Sequence, residues 1–204
     1  MLHFVTPPYL LRRFYKKLTW NFPTTEKVIY LTFDDGPIPE VTPFVLDQLK
    51  QYNAKATFFC IGENIDKHPE VFKQVKEQGH TTGNHTFHHL NGWDTHDQLY
   101  FESVERARAF VGTKFFRPPY GRIRKSQIAM LGSRYSIIMW DVLSYDFDKK
   151  TSPEKCFSNV MRHAKEGSIV LFHDSIKAQK NLYYALPKTL EHFSKEGFEF
   201  RAIT

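Results

Sequence analysis

Two rhythms of apolar and polar residues run through this chain. Val28-Ile29-Tyr30-Leu31-Thr32-Phe33 is a short unbroken run of β-branched, aromatic and aliphatic side chains that ends on Asp34-Asp35-Gly36-Pro37. It is far shorter than the ~20 apolar residues of a membrane span, so it reads as a buried strand stopped by Gly-Pro. Thr42-Pro43 follows as an N-cap and first helical residue, with Phe44, Val45, Leu46, Leu49 and Tyr52 at helical spacing behind it. The alternation then repeats. A strand is expected over 56–61, then a helix from Pro69 with Val71, Phe72 and Val75 inward and Gly79 as its stop. An extended piece over 80–84 precedes a helix opened by a Thr95-His96-Asp97-Gln98 capping box and ended by Gly112. Phe115-Phe116 is a strand fragment, 125–131 a short helix and 135–140 a strand. Ser152-Pro153 caps a helix closed by Gly167, and a strand over 168–172, a helix over 182–195 and a strand over 198–203 complete the chain.

These are seven expected strands, beginning near residues 28, 56, 81, 115, 135, 168 and 198, with helices between them. Such alternation gives an α/β fold with parallel strands and helices outside. An open doubly wound sheet and a barrel satisfy it equally. No repeat, low-complexity tract or linker interrupts the pattern, and 204 residues suffice for one domain with a sizeable core.

Residues 1–24 stand apart as an N-terminal extension to a domain over 25–204, expected to lie outside the strand-and-helix body. Pro7-Pro8-Tyr9-Leu10-Leu11-Arg12-Arg13-Phe14-Tyr15-Lys16-Lys17-Leu18-Thr19-Trp20 interleaves aromatic and basic residues. It reads as a short helix packed against the domain; a peripheral membrane or cell-wall contact is the alternative.

Composition narrows the partners. Charged residues at 25% and hydrophobic ones at 41% are those of a soluble globular protein. Aromatics at 16% serve a core, and also suit a sugar-binding cleft. The net charge of +6 permits an anionic polymer or membrane surface, but no basic run is dense enough to argue for nucleic acid. Two cysteines, Cys60 and Cys156, give neither a disulfide framework nor a Cys-based metal site. Leu10-Leu11 runs straight into Arg12-Arg13, so no signal-peptide core forms, and a cytoplasmic location is the expectation. The sequence carries no signal for oligomeric state.

Polar clusters recur where the expected strands end: Asp34-Asp35, His85 to His89, Arg117-Pro118-Pro119-Tyr120, Asp141 to Asp146 and His173-Asp174. In parallel α/β folds that edge is where active sites are built. His85 and His89 are spaced i, i+4, which would put both imidazoles on one face of a helical turn, with His88 the competitor at i+3. Two imidazoles and a carboxylate are a common ligand set for a catalytic zinc. Arg117-Pro118-Pro119-Tyr120 alone would be a rigid turn and His173 alone a core histidine. Their joint placement gives them weight.

Thr32-Phe33-Asp34-Asp35-Gly36-Pro37, His85-Thr86-Phe87-His88-His89, Arg117-Pro118-Pro119-Tyr120 and Leu171-Phe172-His173, in this order, resemble the polysaccharide deacetylase (NodB-like) family, metal-dependent amidases that remove N-acetyl groups from amino sugars. The resemblance covers about residues 25–204 and implies a distorted (β/α) barrel. It implies Asp34 as catalytic base, and Asp35, His85 and His89 as ligands of one divalent ion, Zn²⁺ first and Co²⁺ or Ni²⁺ as alternatives. It further implies Arg117 as the partner of Asp34, Tyr120 as a backbone donor to the oxyanion, His173 as general acid oriented by Asp146, and Leu171 against the acetyl methyl. The family often has Asp-Trp where this chain has Asp146-Phe147, and many members carry an Asp where this chain has Leu143. Phe147 keeps an apolar wall but loses a donor, which bears on substrate identity more than on reaction class. The implied partner is an N-acetylated carbohydrate. Hydrolysis of a non-sugar amide, and a metal-containing carbohydrate binder without turnover, are the competing readings.

Overall fold

The computed structural model describes residues 4–204. Its centre is β1 (Val28–Asp34), paired in parallel with β2 (Thr57–Cys60) on one side and β7 (Ile169–His173) on the other. β3 (Thr81–Asn84), β4 (Phe115–Phe116) and β5 (Ser136–Ile137) extend one flank, β6 (Val142–Leu143) the other, in the order β5-β4-β3-β2-β1-β7-β6. β8 (Glu199–Phe200) pairs with the start of β1. All the pairings between these strands are parallel.

Connectivity forces this sheet to curl. β5 and β6 are its two edges, yet only residues 138–141 join them. Five Cα steps reach at most about 18 Å, whereas the edges of a flat seven-strand sheet would lie roughly 29 Å apart. The result is the distorted (β/α) barrel, one α/β domain with helices around the sheet. The expected strand over 135–140 is reduced to β5, and an additional strand follows it: Asp141 turns the chain toward β7, accepting from Ile169 N at 2.7 Å and from Ser168 Oγ at 3.1 Å, and leads into β6.

The seam between the edges receives the N-terminal segment. Thr19 N donates to Ile137 O at 2.9 Å and Met139 N to Thr19 O at 2.7 Å, while Phe22 N donates to Gly167 O at 2.9 Å. Leu18 and Trp20 are buried. Residues 18–22, expected outside the barrel, are thus part of its wall. Ahead of them α1 (Tyr9–Phe14) buries none of its residues.

The other helices are α2 (Thr42–Gln51), α3 (Gly62–Lys67), α4 (Pro69–Glu77), α5 (Asp97–Val111), α6 (Lys125–Leu131), α7 (Pro153–His163) and α8 (Gln179–Lys195). Ile29, Leu31 and Phe33 of β1 join the main core with residues of α2 and α8, and Phe33 stacks between Phe58 and Phe172 at 5.0 and 6.1 Å. Ser152 caps α7 as expected, accepting from Lys155 N, and Gly112 ends α5 at φ 59°. Two expected caps do not form. Thr42 is inside α2, its hydroxyl donating to Asp174 at 2.6 Å, and Asp97 opens α5 uncapped, its carboxylate accepting from Arg124 and Gln127. Among the described residues no helix is long and apolar enough to cross a membrane.

Candidate active site

Consecutive side chains on a strand point to opposite faces. Asp34 and Asp35 escape this because Asp35 turns to φ 82°, a left-handed conformation that Asp tolerates better than most residues. Both carboxylates then face one cavity at the C-terminal end of β1. Gly36 N donates to Asp174 Oδ1 at 3.0 Å, and a Cβ on Gly36 would lie 2.0 Å from Asp174 Oδ2, so only glycine lets the turn approach this closely. Burial pushes Asp174 up to about 8.

The histidines arrive differently from expectation. Residues 85–89 are not helical; Thr86 at φ 62° and His89 at φ 53° fold the stretch into a tight loop, and the rings of His85 and His89 come to 5.1 Å between centroids. Asn84 Oδ1 accepts from Thr86 N at 2.9 Å, and Ser103 Oγ accepts from the backbone of Phe87 and His88. His88 points away, toward Glu63 and Arg106.

One ligand atom from each of Asp35, His85 and His89 lies within 4.8 Å of the others. His85 Nδ1 bonds Arg117 O at 2.8 Å and His89 Nδ1 bonds Tyr120 Oη at 3.1 Å, which leaves each Nε2 turned toward Asp35, at 3.8 and 3.2 Å. Burial pushes His85 down to about 4 against the charges of Asp34 and Asp35, so its ring is neutral at neutral pH. Burial opposes ionisation of Asp35, but the His89 hydrogen bond and the surrounding histidine charges hold it well below the usual carboxylate range. Two imidazole Nε2 atoms with their outer nitrogens tied, plus a carboxylate, fit one divalent ion.

Asp34 is held separately. Its Oδ1 accepts from Arg117 at 2.7 Å, and Oδ2 faces His85 Nε2 at 3.7 Å. Arg117 is fully buried, which would be costly without partners. It has them: the Nη1 that serves Asp34 also donates to Thr32 Oγ1, Nε donates to Ile138 O and Nη2 to Met139 O, and the Phe59 ring lies 4.1 Å away.

Across the cavity, His173 Nδ1 bonds Asp146 Oδ1 at 2.8 Å, and His173 N donates to Asp146 Oδ2 at 2.6 Å. Burial disfavours the imidazolium, but the Asp146 carboxylate, with Asp35 and Asp34 beside it, outweighs burial and raises His173 to about 9. Phe147 packs edge-on against the ring at 5.0 Å.

Asp34, Asp35, His85, His89, Tyr120, Phe147, Leu171 and His173 all line one cavity of about 330 Å³, with Arg117 and Asp146 buried behind it. Gly121, Trp140, Leu143 and Lys177 also line it. Trp140 could have been anticipated, standing at the end of an expected strand. Lys177 could not, because nothing in its sequence context marks it.

Residues 21–133 match the polysaccharide deacetylase family. A peptidoglycan-N-acetylglucosamine deacetylase of Bacillus cereus is 36% identical over 197 residues, 92% of this chain and 91% of the relative. A solved peptidoglycan N-acetylglucosamine deacetylase in complex with an N-hydroxybenzamide compound is similar in fold at a TM-score of 0.88 and 31% identity, covering 97% of this chain and 95% of that one. Peptidoglycan deacetylase PdaC of Bacillus subtilis follows at 0.79 and 27%, covering 88% and 89%. A match over more than half of the sequence and a relative aligned along nearly its whole length establish that this chain belongs to the polysaccharide deacetylase family.

Proposed function

We propose that this chain is a metal-dependent hydrolase that removes the N-acetyl group of N-acetylglucosamine residues in a peptidoglycan-type glycan. The carrying observation is the convergence of Asp34, the Asp35–His85–His89 cluster and the Asp146-paired His173 on one cavity. The names of its relatives support the substrate.

An acetamide is a poor electrophile with a poor leaving group, so each step needs a partner. Asp35, His85 and His89 would hold the ion, Zn²⁺ by its preference for this donor set. Bound there, it would supply Lewis-acid charge beside the acyl carbonyl and the attacking water. Arg117 occupies Oδ1 of Asp34, leaving Oδ2 to take the proton of that water. Tyr120 contributes a backbone N–H to the developing oxyanion. His173, kept protonated by Asp146, gives its proton to the departing amine. Leu171 and Phe147 wall the space for the acetyl methyl.

Acetate release should be measured on peptidoglycan glycan strands and on chitooligosaccharides, before and after chelation and after return of Zn²⁺, Co²⁺ or Ni²⁺. Release that chelator abolishes and metal restores, faster on peptidoglycan strands, is the expected result. No release from either glycan by the metal-restored protein would overturn the reading.

A further inference from the structure

A short helix leading into the barrel seam is ordinarily held by its own apolar side, yet α1 has none turned inward. Tyr9, Leu10 and Phe14 are 73%, 63% and 80% exposed. Single exposed apolar residues are commonplace, but a six-residue helix with no buried residue and three such side chains is a cluster. Leu10 and Phe14 are spaced i, i+4 and so stack on one face, with Leu11 and Arg13 flanking them. Arg12 and Tyr15, on the opposite side, are the ones partly covered. The face ends in Lys16-Lys17, and Phe14, Lys16 and Lys17 share a groove of about 380 Å³ with Lys125 and Ile128 of α6. Arg13, Lys16 and Lys17 are exposed, and Arg13, Lys16, Lys17 and Lys125 make no salt bridge with another described residue.

We infer that this face docks the protein on an anionic lipid surface, Leu10 and Phe14 entering the headgroup–acyl boundary while Arg13, Lys16, Lys17 and Lys125 meet lipid phosphates. Two features select this occupant. A soluble polyanion would satisfy the cations but leave Leu10 and Phe14 in water. A second copy of the chain, joined face to face about a two-fold axis, would bring like charges together. An apolar stripe beside basic residues on a short helix has the chemistry of an interfacial anchor.

The test uses the whole chain and two vesicle preparations, pure phosphatidylcholine and phosphatidylcholine partly replaced by phosphatidylglycerol. Cosedimentation is expected with the anionic vesicles only, weakening as salt is raised. Arg13→Gln/Lys16→Gln/Lys17→Gln should weaken it about a hundredfold, since each basic residue near such a surface contributes roughly fivefold. Leu10→Ser/Phe14→Ser should weaken it at least about tenfold, from the apolar area withdrawn. Circular dichroism should be unchanged in both, because none of these side chains is buried. Failure of the wild type to bind anionic vesicles at low salt overturns the inference. So does equal binding to both preparations, or binding that Leu10→Ser/Phe14→Ser leaves intact. A wild-type dimer that this same variant dissociates would assign the face to a second copy instead.

Discussion

Asp146→Asn should move the basic limb of the activity profile from about pH 9 toward neutrality. In the native cavity burial works against the His173 cation, and the Asp146 carboxylate 2.8 Å from Nδ1 outweighs it, with smaller help from Asp35 and Asp34. Neutralising Asp146 leaves the burial in place, so His173 should settle near or below its ordinary 6.5. At pH 8 the protonated fraction then falls from about nine-tenths to roughly one-thirtieth, a loss of about thirtyfold in any step that needs the imidazolium. The same displacement, 6.5 to about 9, corresponds to about 3 kcal/mol of folding free energy. A raised folded-state value contributes fully below pH 6.5 and is lost as pH rises through about 9. The amide also cannot replace the carboxylate bond for bond. Oδ1 accepts from His173 Nδ1 and Phe147 N, and Oδ2 from His173 N, so one donor must face the new NH₂ group at about 1–3 kcal/mol. Stability should therefore fall at every pH, while the limb movement reports the charge alone. Acetate release across pH, with NMR titration of the His173 ring, separates the two. A basic limb that stays in place would refute the reasoning. Asp141 and Asp174 are not free to substitute, since Asp141 is engaged by Ile169 and Ser168, and Asp174 by Gly36 and Thr42.

His89→Ala should lower the metal bound per chain, while His88→Ala, whose ring faces Glu63 and Arg106, should leave it intact by elemental analysis. Asp34→Asn should cost about 10²–10⁴ in turnover with metal content retained, and substantial residual activity would remove Asp34 from the role of base. Gly36→Ala drives a methyl to 2.0 Å from Asp174 Oδ2, so the turn must open; thermal melting should drop and metal binding weaken together, and unchanged values would contradict the need for glycine there. Deleting residues 1–22 removes Leu18, Trp20 and the Thr19 and Phe22 bonds that close the seam, and should unfold the chain or lower its melting point sharply; a truncation melting like the wild type would return this segment to the outside of the barrel.

Most helices and the long strands were legible in the sequence because each buries one face, and that requirement writes a period into the residues. β1 and β7 are apolar runs for the same reason. The chemistry was legible because strand ends in a parallel sheet converge, so Asp34, His85, Arg117 and His173 could be related without knowing the curvature. What escaped was whatever depends on closure. β6 is only Val142–Leu143, too short for a period, and its partner β7 lies far along the chain. The His85–His89 spacing suggested a helical turn, but Thr86 and His89 reach the same ring proximity through left-handed backbone, which a residue count does not encode. Thr42 looked like a cap because threonine suits one; its hydroxyl is claimed instead by a carboxylate 132 positions away.

The seam segment around Thr19 has a consequence for how the chain comes to be folded. Its partners, Ile137 to Met139 and Gly167-Ser168, are made long after it. At about 5–20 residues per second of synthesis, Leu18 and Trp20 spend roughly six seconds or more without the surfaces that will bury them. Closure of so long a loop also comes late, because its entropy must be met before the contacts reward it. During that interval the nascent chain displays an apolar stretch beside a basic one. This segment then docks only after the strands it pairs with have been made, and a chaperone that recognises exposed apolar segments would find its site there.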